Sequence, residues 1–299
     1  MCVIYTWIQC PSRERESSQA MAMFSLSSFS FLLSLSFTSF FLSSHILFFS
    51  MSTAFQSEVE DESPFTYEEG SEKGPAKWGQ IDPNWQVCNS GKMQSPIDIP
   101  FPKVQVSPDL GKLKRDYKQS PASIKNRGHD ISVSRKEEAG KININGTHYE
   151  LLKCHWHCPS EHTLTGTRYE MELHIVHMSS NDEAIAVTGI LYKYGRPDPF
   201  LAKLLEHIKS IGKEEKELGI VNPGDIKFGS RKYYRYMGSL TTPPCTEGVV
   251  WTILNKVRTV SREQVKALRD AVHDGFEANA RPIQPPYGRS ILFYTPKIG

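Results

Sequence analysis

Three histidines stand at spacings that suit a metal site. His155 and His157 flank Trp156, and His174 lies in a second segment, residues 172–174. In a β-strand alternate side chains share a face, so His155 and His157 point to one side and Trp156 to the other. A neighbouring strand can add His174 as a third ligand. Three neutral imidazoles that leave one position open are the arrangement of a catalytic zinc site, whereas structural sites are closed.

The cysteines beside this pair do not fit the same site. Cys154 and Cys158 have the parity of Trp156, so they are expected on the strand face opposite to the two histidines. The string CHWHC at residues 154–158 is therefore not expected to form a mixed cysteine–histidine structural zinc site. A His-x-His pair also arises by chance among histidines that only hydrogen-bond. Spacing alone leaves metal binding and a purely structural role both open.

Five short sequence motifs, which follow one another along the chain, favour metal binding. They are QSPID at residues 94–98, HWH at 155–157, SEHT at 160–163, ELHIVH at 172–177 and GSLTTPP at 238–244. Together they closely resemble the α-class carbonic anhydrases, and the string YYRY at 233–236 is most similar to the plant members. The resemblance runs from about Phe65 to Arg289.

This resemblance implies a fold and an activity. The fold is mostly β, a single domain with a large, twisted, mostly antiparallel central sheet and a few peripheral helices. His155, His157 and His174 would bind Zn²⁺, which lowers the pKa of a bound water to about 7, a value for which carbonic anhydrase is itself the usual example. The implied reaction is the reversible hydration of carbon dioxide to bicarbonate and a proton. The alternative is a non-catalytic binding or storage protein on the same fold, although such relatives usually lose a zinc histidine.

The resemblance also implies roles in catalysis. Thr241 would accept a hydrogen bond from the hydroxide and donate its own proton to Glu161, which orients the nucleophile. If Thr241 did not intervene, Glu161 would be the general base of a zinc hydrolase with another substrate. His129 lies where the best members of the family keep a proton shuttle, and an imidazole with a pKa near 6.5 can relay protons at neutral pH. The alternative is that His129 is simply an exposed histidine.

A substrate pocket is implied as well. Carbon dioxide is apolar and needs no charged partner, so an apolar wall is sufficient to hold it. The residues that match this wall are Val176, Val187, Leu240 and Trp251. Thr242 matches a residue that helps to hold bicarbonate. Four further residues match structural positions, namely His162, His177, Asn279 and Arg281.

Lys153 departs from the family pattern. The family usually has a glutamine two residues before the first ligand, where it accepts a hydrogen bond from that histidine. By parity Lys153 shares the strand face of His155, but an ammonium group has three donors and no acceptor. We therefore expect weaker zinc binding than a glutamine would give. Cys158 is a second departure, since serine or glycine is usual there.

Short strands separated by turn residues must position these side chains. Apolar alternation predicts strands around residues 131–133, 142–144 and 172–177, and longer apolar runs predict strands at 184–194 and 249–254. One helix is predicted from the apolar spacing over residues 201–208. A second opens with Ser261 and Gln264 as a capping box and continues past Leu268. The pattern predicts one β-rich domain, and the resemblance implies that residues 76–299 form a carbonic anhydrase catalytic domain.

Composition excludes several classes of function. The 299 residues are 39% hydrophobic, which is enough for a sizeable core, and the net charge is only +2. No basic tract suggests a nucleic-acid partner, and the run KEEKE at residues 213–217 reads as a solvated face. The family resemblance implies a small-molecule substrate, carbon dioxide or bicarbonate, and no stable membrane association is expected after signal cleavage.

The amino-terminal part of the chain predicts targeting. Residues 24–50 carry no charged side chain, and small residues follow at 52–54. We interpret residues 1–54 as a secretory targeting segment, with translation starting at Met21 or Met23, and residues 55–75 as a flexible acidic lead-in. An uncleaved membrane anchor and a plastid transit peptide are the alternatives. The expected location is the secretory pathway or the extracellular space, with the plastid as alternative.

Four cysteines follow this segment, and in an oxidising compartment some of them could pair. The resemblance matches Cys88 and Cys245 to a disulfide of secreted family members. Cys154 and Cys158 are expected to stay reduced, because they lie too close along one strand face to pair easily. The sequon NGT at Asn145 is the only N-glycosylation signal in the sequence, and it fits a secreted protein.

Overall fold

The computed structural model describes residues 64–181, 184–273 and 275–296. All of them belong to one compact unit, residues 57–299. The predicted targeting segment, residues 1–54, lies outside the described residues, as do residues 55–63 of the predicted lead-in. No helix within the described ranges is long and apolar enough to cross a bilayer.

Strands dominate the described part of the chain. The strands are β1 Asp98–Ile99, β2 Gln105–Val106, β3 Lys114–Tyr117, β4 Ser120–Asn126, β5 Ile131–Arg135, β6 Gly140–Ile144, β7 Thr147–His157, β8 Thr163–Leu164, β9 Thr167–Arg168, β10 Met171–Ser179, β11 Ile185–Tyr194, β12 Lys216–Val221, β13 Tyr233–Ser239, β14 Glu247–Leu254, β15 Arg258–Val260 and β16 Leu292–Tyr294. The helices are α1 Trp78–Ile81, α2 Val87–Ser90, α3 Pro199–Lys209 and α4 Arg262–Ala271. The predicted strands and both predicted helices are confirmed.

One large sheet organises the molecule. Its strand order is β12-β4-β5-β7-β10-β11-β14-β13-β16-β2, with β15 beside β11 and with β6 joining β7 to β3. Most pairs are antiparallel, while β11–β14, β11–β15 and β16–β2 are parallel. A separate small sheet has the order β1-β8-β9. The predicted fold class, a mostly β single domain with a large antiparallel sheet and few helices, is confirmed.

The two long helices begin at strong caps. Asp198 accepts hydrogen bonds from the backbone N–H groups of Phe200 and Leu201, and a proline occupies the first turn of α3. Ser261 and Gln264 form the predicted capping box of α4. Both helices bury their apolar side chains in the cluster that also contains Trp156, Cys154 and Cys158. The helices therefore cover one face of the central sheet.

The other face of the sheet carries the histidines. Side chains alternate along β7, so His155 and His157 lie on the face opposite to Trp156. We call the side that carries His155 the histidine face. A second apolar cluster, which includes Val176, Val187 and Trp251, packs on this face. The parity argument that separated the histidines from Cys154 and Cys158 is therefore confirmed.

An aromatic cluster joins the amino-terminal segment to the domain. Phe65 and Tyr67 pack against Trp78 and Trp85, and the relative exposure of Phe65 is 2%. The ring centroids of Phe65 and Trp78 are 5.1 Å apart in an edge-to-face arrangement. The predicted flexible lead-in, residues 55–75, thus includes residues that are packed from Phe65 onward, because their aromatic side chains have a buried surface to occupy.

Candidate active site

Strand register brings the three histidines together. His174 of β10 lies directly opposite His155 of β7, and Glu172 lies opposite His157. The imidazole centroids are 5.1 Å apart for His155–His157, 5.2 Å for His155–His174 and 4.6 Å for His157–His174. One nitrogen from each ring lies within 4.8 Å of the others. All three side chains are buried.

Hydrogen bonds orient two of these rings. Nδ1 of His157 donates to the backbone carbonyl of Asn279 at 2.7 Å, which leaves the lone pair on Nε2. That Nε2 is buried and has no hydrogen-bond partner among the described residues. Nε2 of His174 donates to Oε1 of Glu172 at 2.9 Å, which leaves the lone pair on Nδ1. Fixed neutral tautomers with inward lone pairs are what a metal ion requires of histidine ligands.

The donor set therefore fits a metal ion. Three imidazoles suit zinc and several other transition metals, with zinc–nitrogen distances of about 2.0–2.1 Å. A second group, His162, Glu172 and His174, also brings potential ligand atoms within 4.8 Å of one another. In that group Glu172 Oε1 already accepts hydrogen bonds from His162 and His174, so it serves to orient the rings.

The Glu172 carboxylate accepts hydrogen bonds from both the backbone and the side chains around His174. Its Oε2 accepts the backbone N–H groups of Glu161 and His162, at 2.9 and 2.8 Å. Burial alone would raise the pKa of Glu172, but the contacts with His162 and His174 hold that pKa well below the usual value. His162 Nε2 accepts in turn from the Tyr236 hydroxyl at 2.6 Å. Glu172 is thus an ionised carboxylate that fixes His174.

A glycine opposite His174 makes room for this carboxylate. Gly189 of β11 pairs with His174 in the sheet. A β-carbon added at Gly189 would lie 2.8 Å from Glu172 Oε1 and 2.7 Å from the side chain of Ile253. Real β-carbons do not make such approaches, so the absence of a side chain here lets Glu172 reach His174.

Glu161 and Thr241 lie at the site but are not joined. Oε1 of Glu161 accepts the backbone N–H of Arg281 at 2.9 Å. Oε2 is buried without a hydrogen-bond partner in the described part of the chain, 3.6 Å from His157 Nε2 and 3.9 Å from His174 Nδ1. Thr241 is 4% exposed. The predicted hydrogen bond from Thr241 to Glu161 is not seen among these contacts, and its catalytic role stays a prediction.

His129 is buried beside the aromatic cluster. Its side chain is 1% exposed, and its ring centroid lies 5.4 Å from that of Phe65. Nε2 lies 3.9 Å from Oδ2 of Asp130, which forms a buried ion pair with Arg127. The alternative of an exposed histidine does not fit this burial. The predicted role as proton shuttle stays a prediction.

The predicted apolar wall is assembled beside the histidines. Val176, Val187 and Trp251 are consecutive neighbours across β10, β11 and β14, and Leu240 belongs to the same buried cluster. The Trp251 ring lies 4.8 Å from the ring of His174, centroid to centroid. Thr242, the predicted bicarbonate contact, is 2% exposed. Buried apolar side chains therefore lie directly beside the three imidazoles.

Lys153 lies in the same row of the sheet as this wall. It pairs with Ser134 of β5 and with Val176 of β10. Its position two residues before His155 in β7 places it on the histidine face. Lys153 also lines a cavity with Cys154 and Phe200 of the helix-covered face, next to a register shift between β7 and β10, so its contact with the first histidine stays a prediction.

Comparison with known proteins places this arrangement in a family. Residues 73–295 match the family model for eukaryotic-type carbonic anhydrase. The chain belongs to the eukaryotic-type carbonic anhydrase family. Alpha carbonic anhydrase 4 of Arabidopsis thaliana is 55% identical over 242 residues, which cover 81% of this chain and 90% of that protein. Since other plant carbonic anhydrases match over similar lengths, the resemblance to plant members is confirmed, and the chain is an enzyme of this class.

Solved carbonic anhydrase structures share the fold. A hyperthermostable carbonic anhydrase from a hydrothermal vent chimney superposes with a TM-score of 0.71 and 35% identity, covering 77% of this chain and 100% of that one. A dioscorin complexed with ascorbate superposes with a TM-score of 0.77 and 41% identity, covering 79% of this chain and 100% of that one. The fold is thus shared by carbonic anhydrases and by a dioscorin.

The disulfide that the family resemblance predicted is present. Cys88 and Cys245 are bonded, with their Cα atoms 5.0 Å apart and a sequence separation of 157. Cys154 and Cys158 are free, as predicted, and both are buried. Cys245 directly follows the GSLTTPP string, and its backbone N–H donates to the carbonyl of Thr242 at 2.8 Å. The disulfide therefore anchors the loop that carries Thr241 and Thr242 to the aromatic cluster.

Sequence reasoning missed how much the late residues contribute to the site. Asn279 and Arg281 were assigned structural roles, yet their backbone groups contact His157 and Glu161 directly. The Arg281 side chain also donates to Gln94 and to the backbone carbonyls of Ser95 and Cys88. Backbone contacts of this kind carry no side-chain signature. His162 and His177 are buried hydrogen-bonding residues, as predicted.

Proposed function

We propose that this chain catalyses the zinc-dependent, reversible hydration of carbon dioxide to bicarbonate and a proton. The observation that carries the proposal is the buried triangle of His155, His157 and His174, in which two rings have their tautomers fixed by Asn279 and Glu172. Zinc bound to these imidazoles supplies hydroxide at neutral pH, because it lowers the pKa of water to about 7.

The remaining residues hold the substrate and direct the attack. Val176, Val187, Leu240 and Trp251 form an apolar wall that binds carbon dioxide and excludes competing water. Thr241 aligns the attacking oxygen by accepting its proton in a hydrogen bond, with Glu161 as the acceptor for the hydroxyl of Thr241. The unsatisfied, buried Oε2 of Glu161 is available for that hydrogen bond. Thr242 contacts the bicarbonate product.

His129 carries the released proton away in this proposal. An imidazole titrates near neutral pH, so it can accept a proton at the site and pass it to buffer. Nε2 of His129 lies 3.9 Å from Oδ2 of the buried Asp130 carboxylate, which also pairs with Arg127. The ring of His129 also lies beside Phe65 of the aromatic cluster, with 5.4 Å between the ring centroids.

We also propose that the chain enters the secretory pathway, with the plastid as the alternative. The Cys88–Cys245 disulfide supports an oxidising compartment, since such bonds are rare in the cytosol. The exposed sequon at Asn145 is consistent with that route.

The similarity to dioscorin favours one second candidate, a binding or storage protein. A dioscorin with bound ascorbate shares the fold and 41% of the aligned residues. Such a protein needs the fold but not the metal. The intact triangle of histidines argues for the enzyme, because a storage role places no demand on it.

The deciding experiment compares His174→Ala with wild type. Loss of an outer contact to a metal ligand typically costs about 10- to 100-fold in metal affinity, so loss of a ligand itself should cost at least about 100-fold. We expect wild type to keep about one zinc per chain after dialysis against a chelator and to hydrate carbon dioxide, and His174→Ala to lose both.

The control is His148→Ala, which removes an exposed histidine from the same strand, β7. It should keep zinc and activity. Full zinc and full activity in His174→Ala would refute the ligand assignment. A correctly folded wild type without zinc or activity would favour the binding or storage protein.

A further inference from the structure

An apolar groove lies on the face of β13 and β14 that points away from the histidines. Met237 and Val250 are paired in register, next to the Tyr236–Trp251 pair on the histidine face. Because side chains alternate along a strand, Met237 and Val250 project to the opposite face. The groove has a volume of about 490 Å³ and is lined there by Met237, Val250 and Leu292. Met237 is 44% exposed, which is unusual for a large apolar side chain.

The N-glycosylation sequon stands at the edge of this groove. Asn145 and Gly146 form the two-residue turn between β6 and β7, with φ angles of 51° and 89°. Both angles are positive, as in the type I′ hairpin turns that favour Asn-Gly. Asn145 and Thr147 are exposed, and both line the groove. The turn therefore presents the acceptor to solvent directly beside the apolar side chains.

Asn145 also borders a second groove with different chemistry. This groove has a volume of about 1050 Å³, and its lining includes Lys112, Lys114, Arg115 and Lys227. The core of an N-linked glycan is an uncharged polyol whose ring faces expose C–H groups. Its hydroxyl groups can hydrogen-bond to polar groups in either groove, whereas its C–H faces need an exposed apolar surface such as that of Met237. The apolar groove is therefore the complementary surface.

We propose that an N-linked glycan on Asn145 lies in this apolar groove and covers the side chains of Met237, Val250 and Leu292. The proposal rests on the secretory route proposed above, because only that route attaches such a glycan. Tyr149, also in the lining, is only 6% exposed and lies in the buried cluster beneath the turn. The exposed hydroxyl of Ser290 at the far side can hydrogen-bond to the sugar hydroxyls.

Two measurable consequences follow. The glycan binds the folded surface and not the unfolded chain, so it stabilises the native state. It also shields the apolar side chains from solvent and from hydrophobic dyes. The groove lies on the face opposite to the histidines, so carbon dioxide hydration should be unchanged.

The test uses Thr147→Val, which destroys the sequon without touching the turn residues and keeps a β-branched side chain in the strand. Wild type and Thr147→Val are purified from a secretory host, and mass spectrometry checks Asn145 for the glycan. We expect glycosylated wild type to melt about 2–4 °C above the variant, the shift that about 1 kcal/mol gives a domain of this size. We also expect the variant to bind more of a hydrophobic dye. The same pair from a disulfide-forming bacterial host, which adds no N-glycan, should melt together.

A relocated glycan separates packing in the groove from a general effect of glycosylation. Thr165→Asn creates the same NGT string in the turn between β8 and β9, where residue 165 also has a φ of 51°. Combined with Thr147→Val, this variant carries a glycan outside the groove and should melt like Thr147→Val.

Three outcomes would overturn the proposal. They are an unmodified Asn145 in the secreted chain, a relocated glycan that restores the melting temperature, and a glycosylated wild type that buries the groove between two copies as a stable dimer. None of these outcomes depends on enzymatic activity. The proposal can therefore fail while the proposed reaction stands.

Discussion

Asn279 connects more parts of the site than any single histidine does. Its backbone carbonyl accepts from His157, its side-chain oxygen accepts from the backbone N–H of Cys158, and its amide donates to the carbonyls of His129 and Trp156. One residue thus fixes a candidate ligand, the end of the strand that carries it, and the loop of the proposed proton shuttle. At the scale of residues, backbone contacts of this kind orient His157, while the Glu172 carboxylate orients His174.

Lys153→Gln should strengthen metal binding. The lysine shares the histidine face with His155, and its ammonium group cannot accept a hydrogen bond, whereas glutamine can. An acceptor for a ligand histidine is typically worth about 10- to 100-fold in metal affinity, so we expect a gain of that order in competition with a chelator. The pH midpoint of hydration should rise, because removal of a positive charge disfavours hydroxide relative to water.

The matched control is Lys193→Gln, an exposed lysine in β11. It should leave both quantities unchanged. If Lys153→Gln also changes neither zinc affinity nor the pH midpoint, the side chain of Lys153 does not act on the site.

His177 should make the fold sensitive to mild acid. Burial lowers its pKa from 6.5 to about 4; its Nδ1 donates to the Ala186 carbonyl, and its Nε2 accepts from Tyr117. Between pH 6.5 and 4 the unfolded chain binds a proton here that the native state does not, so stability falls as the pH falls. The full shift corresponds to about 3 kcal/mol.

Urea unfolding at several pH values measures this dependence. We expect His177→Gln to be less stable at pH 7 but to lose about 3 kcal/mol less than wild type between pH 6.5 and 4. Tyr117→Phe keeps the buried imidazole and should retain the acid sensitivity. Parallel pH profiles for wild type and His177→Gln would contradict the assignment.

At the scale of elements, periodicity predicted the scaffold and the faces of the strands. Alternation in β7 separated His155 from Trp156, and the capping box located the start of α4 within a residue. The pairing register between strands that are distant in sequence could not be predicted from periodicity. The pairing of β10 with β7, which places His174 opposite His155, depends on tertiary packing and not on any local pattern.

Gly189 illustrates what local patterns leave out. In the sequence it is one small residue within an apolar run. In the sheet it lies opposite His174, where any side chain would collide with Glu172. We expect Gly189→Ala to displace Glu172, because the new methyl group would lie 2.8 Å from Oε1. Weaker orientation of His174 should then reduce zinc affinity by about 10-fold or more.

Chelator competition and carbon dioxide hydration would measure this effect. Gly212→Ala is the control, because a β-carbon there meets no atom within 4 Å. It should behave as wild type. Normal zinc affinity in a folded Gly189→Ala protein would show that the hydrogen bond between Glu172 and His174 does not require a glycine at position 189.

At the scale of the whole molecule, one covalent bond joins regions that are far apart in sequence. The Cys88–Cys245 bond closes a loop across 157 residues and ties the aromatic cluster to the loop of Thr241 and Thr242. A crosslink of this span restricts the unfolded chain, so we expect Cys88→Ser/Cys245→Ser to lose about 2–5 kcal/mol of stability.

Thermal unfolding with and without a reductant provides the measurement. Reductant should lower the melting temperature of wild type towards that of the double variant and should leave the variant unchanged. Equal melting temperatures for wild type and the variant under oxidising conditions would contradict a stabilising role for the bond.

The late position of Asn279 and Arg281 has a consequence for biosynthesis. A ribosome completes the three imidazoles at His174 and must add 107 more residues to reach Arg281 (281 − 174 = 107). At about 5–20 residues per second, this takes about 5–20 s. Throughout that interval the nascent chain contains all three candidate ligands but not the Asn279 carbonyl that orients His157. Strand β16, which pairs with both β13 and β2, is also still missing. We therefore expect the ion to be captured in its final geometry only after translation has delivered the carboxyl-terminal segment.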